Sequence, residues 1–404
     1  MVTETLSATL LRPEAELLLC CAQSDAEPAV RERIENLVQG EVDWTYLLQT
    51  AADHGVAPLL YRALTDTSSQ AVPQDVLDQL QSRFRANGRR NLLLTGELLG
   101  LLRTLKAKGI PAVPYKGPIL AVHAYGNLAL REFGDLDVLI HKDNIPKAKD
   151  VMASLGYRQL EEFTGAQEEA YLRSQCEYIF TNDRGTIVEL HWALVPRKIT
   201  FSLDPEDLWT RLEAIDLGGA TVPTFSPEDT LLILCVHGSK HRWKRLAWVC
   251  DVAETINAHP SVDWKRILAQ AVELRGERML FMGLFLANDL LGAPLPEYVL
   301  ERVRADRVVR PLAERATADF FVQVEDPQGL LEGSSFRALY LGMREGLPDK
   351  IWYCVHTAMS QSTEDWELVP LPRSMYPVYY LLRLIRLAIK YGRRFLHLAL
   401  RRNY

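Results

Sequence analysis

The sequence predicts an α/β fold, a small mixed-sheet core flanked by N-terminal and C-terminal helical domains. Three observations carry this. Apolar residues recur at helical spacing through residues 1–105, strand and helix patterns alternate from 106 to 220, and helical spacing returns over 221–300. Residues 301–375 are mixed, broken by Pro311, Pro327, Gly329 and Pro348. Residues 376–404 read as a basic amphipathic helix. A chain of 404 residues is long for one core, so two or three packed units are expected.

In the first region, Ala15–Cys21, Val30–Val38, Trp44–His54, Val56–Leu64, Val76–Asn87 and Asn91–Lys106 are helix candidates. The core begins at Gly109, with a short strand at Ile110–Tyr115. Helical spacing resumes at Gly117–Tyr125, and Leu136–Ile140 is a continuous apolar strand. A helix at Ile145–Leu155 stops at Gly156. Cys176–Thr181 and Thr186–Trp192 form a hairpin about Asn182-Asp183-Arg184-Gly185. Ser226 is an N-cap candidate before Pro227, opening helices at Asp229–Lys240, Trp243–Asn257, Trp264–Leu274 and Arg278–Leu291.

Composition excludes several classes. Apolar residues make up 48% and charged residues 24%, values typical of a globular chain rather than a disordered one. The net charge of −6 supplies no global basic field for nucleic acid. Six cysteines without a CxxC pair read as reduced core thiols of a cytoplasmic protein. No signal peptide is legible, and Met279–Leu291 is too short to span a bilayer. Charge is uneven, however. After Glu367 there are eight Lys or Arg and no acidic residue. The basic helix at 376–404 either docks on the acidic body or makes weak contact with an anionic membrane or acidic partner. A peripheral membrane location is the alternative to a cytoplasmic one.

The richest segment is Phe133-Gly134-Asp135-Leu136-Asp137-Val138-Leu139-Ile140. Residues two apart in a strand share a face, so Asp135 and Asp137 project together. Adjacent carboxylates repel, and a divalent cation relieves that conflict; Mg²⁺ (or Mn²⁺) takes carboxylate and phosphate oxygens. Alone, D-x-D also describes a solvated strand end. Its neighbours make it specific. Upstream, Tyr115-Lys116-Gly117-Pro118 runs from a strand through Gly into a helix, a turn that lets backbone N–H groups approach phosphate, with Lys116 adding charge. Downstream, Glu189 and His191 share one face of the strand at 186–192, and Glu189 offers a third carboxylate.

These segments together resemble the bacterial uncharacterised nucleotidyltransferase family, within the DNA-polymerase-β-like nucleotidyltransferases. The resemblance rests on Lys116-Gly117 with Tyr125-Gly126, Arg131, Asp135-Leu136-Asp137-Val138-Leu139 and Glu189-Leu190-His191-Trp192. It extends to His237-Gly238-Ser239-Lys240-His241-Arg242-Trp243 and Trp248-Val249-Cys250-Asp251, and covers about residues 90–300. It implies transfer of a nucleoside monophosphate from an NTP, ATP foremost, to an acceptor the sequence does not name. Asp135, Asp137 and Glu189 would be both catalytic and metal-binding. Lys116, Gly117, Arg131, His237 and His241 would bind nucleotide. One departure stands out: the superfamily has Gly-Ser or Gly-Gly at the first turn, whereas Pro118 here removes an N–H donor.

Rival readings remain at this level. Arg131 suits a triphosphate or a structural pair with Glu132 or Asp135. His237 and His241, at i and i+4, suit a zinc pair, a face over the nucleotide, or plain structure. The whole chain also fits a non-catalytic binding or scaffold protein that keeps the fold, or a peripheral membrane or complex-assembly factor acting through 376–404.

Overall fold

The computed structural model describes residues 12–68, 70–199, 201, 205–318, 320–321, 339–359, 378–383 and 385–386. Most of the basic segment at 376–404, and much of 301–375, lies outside these residues.

Four helices come first: α1 (Pro13–Cys21), α2 (Pro28–Val38), α3 (Trp44–Asp53) and α4 (Ala57–Thr67). Then α5 (Gln74–Ala107) runs unbroken for 34 residues. The sequence pattern splits this helix near Gly88, where glycine costs up to about 1 kcal/mol relative to alanine. Tertiary contacts override that preference. Asn87 and Asn91 flank Gly88, and their side-chain amides donate to the carbonyls of Leu128, Ala129 and Arg131. A Cβ at Gly88 would lie 3.3 Å from Ala129. The loop leading to the D-x-D strand is thus clamped against the middle of α5.

The core sheet follows the order β1 (Ala112–Tyr115), β2 (Asp135–Ile140), β5 (Ile187–His191), β4 (Glu177–Thr181) and β3 (Arg158–Gln159). Only β2 and β5 are parallel; the other pairs are antiparallel. Between the strands come α6 (Gly117–His123), α7 (Ile145–Ser154) and α8 (Gly165–Ser174). Alternation along the strands divides the sheet. Leu136, Val138, Ile140, Val188 and Leu190 pack in one core with Leu94, Leu98, Leu101 and Leu105 of α5 and with α7. Val113, Tyr115 and Leu139 belong to a second core.

That second core continues through the helical elements: α10 (Pro227–Lys240), α11 (Leu246–Ala258), α12 (Trp264–Glu273) and α13 (Glu277–Leu291), after a short α9 (Pro205–Trp209). It also takes in α1–α4 and the later helices α14 (Glu297–Ala305) and α15 (Val309–Thr317). A further helix, α16, spans Leu347–Met359. A hairpin absent from the sequence reading, β6 (Glu213–Leu217) with β7 (Ala220–Thr224), lies against β1.

Ser226 caps α10 as expected, accepting from the Asp229 amide. The next turn differs from expectation. Trp243 does not open a helix: Arg242 and Trp243 both have positive φ, 64° and 54°, and α11 starts at Leu246. The reversal drives the fully buried Trp243 ring against Gly238 and Gly283, where an added Cβ would come within 2.6 and 2.9 Å of the indole. Burial of this ring outweighs the strain of left-handed backbone. His54, the C-cap of α3, is also buried: one ring nitrogen meets the Phe320 carbonyl at 2.6 Å and the other accepts from the Leu246 amide at 3.1 Å. Among the described residues, no helix is long and apolar enough to cross a membrane.

Candidate active site

Register places the acids. Asp137 of β2 lies opposite Glu189 of β5, and Tyr115 of β1 lies opposite Asp137. Asp135 shares their face two residues back. One further row along, His191 of β5 lies opposite Glu177 of β4. All six side chains line one cavity of about 370 Å³. Lys116, Gly117 and Arg131 line it too, and α10 and α11 close it with His237, Lys240, His241 and Trp248. Every residue expected at the site from sequence therefore reaches the same cavity.

The acidic wall is a network. Lys116 Nζ lies 2.6 Å from Asp137 Oδ1, and His191 Nε2 lies 3.2 Å from the same oxygen. Nε2 is also 3.4 Å from Glu189 Oε2, and Nδ1 is 3.1 Å from Glu177 Oε2. Burial would raise the Asp137 carboxyl, but the Lys116 ammonium and His191 overcome it and hold Asp137 well below the usual carboxylate range. Asp135 moves the other way, pushed up by burial and by the Asp137 charge. Burial pulls the Lys116 ammonium down, but Asp137 and Asp135 reverse this and raise it. His191 is likewise raised well above its ordinary value: burial opposes the charge, and hydrogen bonds to its acidic neighbours win.

Repulsion between two adjacent carboxylates would, by itself, let Asp137→Asn relieve the conflict and leave the fold unharmed. In the structure Asp137 is 2% exposed and is the direct partner of Lys116 and His191. Removing its charge strands buried cations, a loss rather than a relief.

The turn before α6 carries its own strain. Lys116 has φ 54° and Gly117 φ 40°, and a Cβ on Gly117 would meet the Asp135 carbonyl at 3.4 Å. The left-handed Lys116 is held by what its side chain touches, the ion pair with Asp137.

Arg131 is committed elsewhere. Its Nε and Nη2 donate to the two carboxylate oxygens of Asp251 at 2.7 and 2.8 Å, and Tyr125 donates to Asp251 at 2.7 Å. The partner is neither Glu132 nor Asp135, the two pairings its sequence position suggests. This fork fastens the loop before β2 to α11.

The opposite wall is aromatic. His237 and His241 have ring centroids 4.5 Å apart, and each packs on Trp248, at 5.7 and 5.2 Å. His237 lies in α10, whereas His241 is the C-cap just beyond it. Burial, then the charge of Lys116, pushes His237 well below its ordinary value; burial and Lys240 lower His241 to about 4. Both rings are therefore neutral at pH 7. The described residues put no third metal ligand beside them.

Two groups escaped the sequence reading: Glu177 and Cys176. The hairpin was legible, but pairing its strands symmetrically about residues 182–185 would set Glu177 opposite Leu190; the observed register, with Thr181 opposite Ile187, sets it opposite His191. Among the described residues, two sets of three side chains are spaced to hold a metal ion: Asp137, Glu189 and His191, and Cys176, Glu177 and His191.

A mixed α/β core with acids converging from two parallel strands beneath a helical wall defines a protein of the nucleotidyltransferase type. Residues 40–292, more than half of the chain, match the uncharacterised nucleotidyltransferase family, and the chain belongs to it. Among solved structures it is similar to an antigenic nucleotidyltransferase-like protein from Paracoccidioides brasiliensis, at 19% identity and a TM-score of 0.31, over 52% of this chain and 96% of that one. No curated protein matches the chain.

Proposed function

We propose that the cavity transfers a nucleoside monophosphate from an NTP to a hydroxyl-bearing acceptor, with release of pyrophosphate. The observation that carries this is the convergence of Asp135, Asp137, Glu189 and Lys116 on one cavity. The donor set fits a hard divalent cation, Mg²⁺ or Mn²⁺. It consists of carboxylate oxygens, and those of Asp137 and Glu189 stand, with His191, close enough to share one ion. When bound, such an ion neutralises triphosphate charge and lowers the barrier to attack by the acceptor oxygen.

The chain's own residues do the rest. Asp137, kept ionised by Lys116 and His191, is an anion at any physiological pH. Glu189, with 22% of its side chain exposed, meets the cavity contents and takes the acceptor's proton. The acceptor oxygen forms its bond to the α-phosphorus as the bond to pyrophosphate breaks. Lys116 supplies positive charge to the phosphates. His237, His241 and Trp248 offer neutral planar surface for stacking by the base. Arg131 acts indirectly, by holding the loop that ends at Asp135.

A screen with labelled NTPs, Mg²⁺ or Mn²⁺ and mass spectrometry of candidate acceptors tests the reading. Nucleotide added to an acceptor by the native chain, and lost in Glu189→Gln, supports it. NTP binding without turnover under every acceptor tried would favour the non-catalytic binding protein instead.

A further inference from the structure

His191 faces two ways, and only one of its ring nitrogens is satisfied. Nε2 points to Asp137 at 3.2 Å. Nδ1 is buried within a side chain only 3% exposed and makes no hydrogen bond; Glu177 Oε2 is 3.1 Å away but misaligned for one. A buried ring nitrogen that faces a carboxylate without a well-aligned hydrogen bond is uncommon, and its orientation calls for a ligand. Beside it stands Cys176, whose thiol lies 3.4 Å from the same Glu177 oxygen. The ligand atoms of Cys176, Glu177 and His191 all lie within 4.8 Å of one another.

We propose that Cys176, Glu177 and His191 Nδ1 form a site for a borderline-soft transition ion, Zn²⁺ foremost, separate from the oxygen-lined position of Asp135, Asp137 and Glu189. Thiolate, imidazole and carboxylate are the ligands zinc selects, and a thiolate is a poor ligand for Mg²⁺. The spacing is close: ligands of a tetrahedral zinc stand about 3.3–3.8 Å apart given bonds of 2.0–2.3 Å, and the two pairs here, at 3.1 and 3.4 Å, need to open by at most a few tenths of an ångström. Glu177 and His191 line the cavity, so an ion enters from it and keeps an open coordination position toward it. A histidine that ligates metal through one nitrogen donates its other N–H to a carboxylate, and Asp137 stands where that rule requires. Tyr115 holds the ring edge-on at 5.3 Å. The ion would thus fix the His191 tautomer and, through it, the orientation of Asp137. The thiol proton and the His191 Nδ1 proton both leave on binding, while Nε2–H stays on Asp137.

Cobalt substitution of the full chain reads the site independently of turnover. Co²⁺ added to chelator-treated protein should give a thiolate-to-cobalt charge-transfer band at one equivalent. Zn²⁺ should displace the ion and abolish the band. The band should vanish in Cys176→Ser and persist in Cys354→Ser, which removes the exposed cysteine. It should also persist in Asp135→Asn, whose NTP turnover is expected to fail, so that the two sites are told apart. Melting curves of the metal-free variants establish that they fold; should Cys176→Ser melt early, loss of the band in Glu177→Gln serves in its place. No band in the native chain, or a band retained in folded Cys176→Ser, overturns the proposal.

Discussion

The two walls of the cavity meet the same space with opposite physics. The sheet wall gathers Asp135, Asp137, Glu177, Glu189 and His191 and compensates them with Lys116. The helix wall gathers His237, His241 and Trp248, stacks them and strips the imidazoles of charge by burial. On the sheet, partners within 2.6–3.4 Å override the cost of burial and keep charges alive. On the helices desolvation, joined by the charges of Lys116 and Lys240, wins; Glu177 opposes it at His241 but is outweighed. Proximity of an opposite charge, more than depth, decides which groups remain ionised. The cavity therefore presents a phosphate-and-metal side and a planar neutral side.

Breaking the sheet wall should have the largest effect. Glu189→Gln is expected to lower NTP turnover by on the order of 10²–10³-fold with little change in melting temperature, since Glu189 retains 22% side-chain exposure. Turnover by Glu189→Gln at the native rate would move the chemistry elsewhere. Asp137→Asn should lose turnover and also stability, by about 3–5 kcal/mol, because it removes one partner of a buried pair. Chemical denaturation measures this, and an unchanged midpoint would contradict the network.

How much of this was readable beforehand follows the range of the interactions. Asp135, Asp137 and Glu189 obey a two-residue alternation, which sequence displays directly. The hairpin that carries Glu177 was also visible, yet its meaning depended on a cross-strand register that nobody reads from composition. Arg131 and Asp251 stand 120 residues apart. Nothing local marks that fork, so a phosphate role and a structural role looked alike. The left-handed turn at Arg242 and Trp243 was hidden because Trp243 continues a helical apolar pattern. Only the space opened by Gly238 and Gly283 turns it inward. The basic pattern at 376–404 was plain, but it falls mostly outside the described residues.

The helix wall yields a smaller, sharper test. Trp248→Ala should raise the KM for NTP by roughly 5–150-fold, corresponding to about 1–3 kcal/mol of lost base stacking, while kcat moves little. A change confined to kcat would assign the tryptophan to the acceptor or to packing instead.

The smallest effect concerns pH. His237 and His241 have folded values below their unfolded value near 6.5, His241 at about 4. The unfolded chain then binds more protons across this window, so stability is intact above pH 6.5 and falls as pH drops toward 4. His54, His123 and His259 shift in the same direction, so the difference between native chain and variant isolates the wall. His191 has the opposite sign: its contribution is complete below pH 6.5 and is lost only as pH rises through its raised folded value. Melting temperature against pH should therefore flatten between 6.5 and 4 in the double variant His237→Gln, His241→Gln. An equally steep fall in that variant would assign the loss to other groups.

The central claim is that the acidic wall recruits a divalent ion together with a nucleoside triphosphate. Calorimetric titration of the full chain with a non-hydrolysable ATP analogue, with Mg²⁺ and then with chelator, tests it most directly. The account predicts saturable binding that requires Mg²⁺ and weakens in Glu189→Gln. Equal affinity with chelator present, or no binding of any NTP analogue with either Mg²⁺ or Mn²⁺, would contradict it.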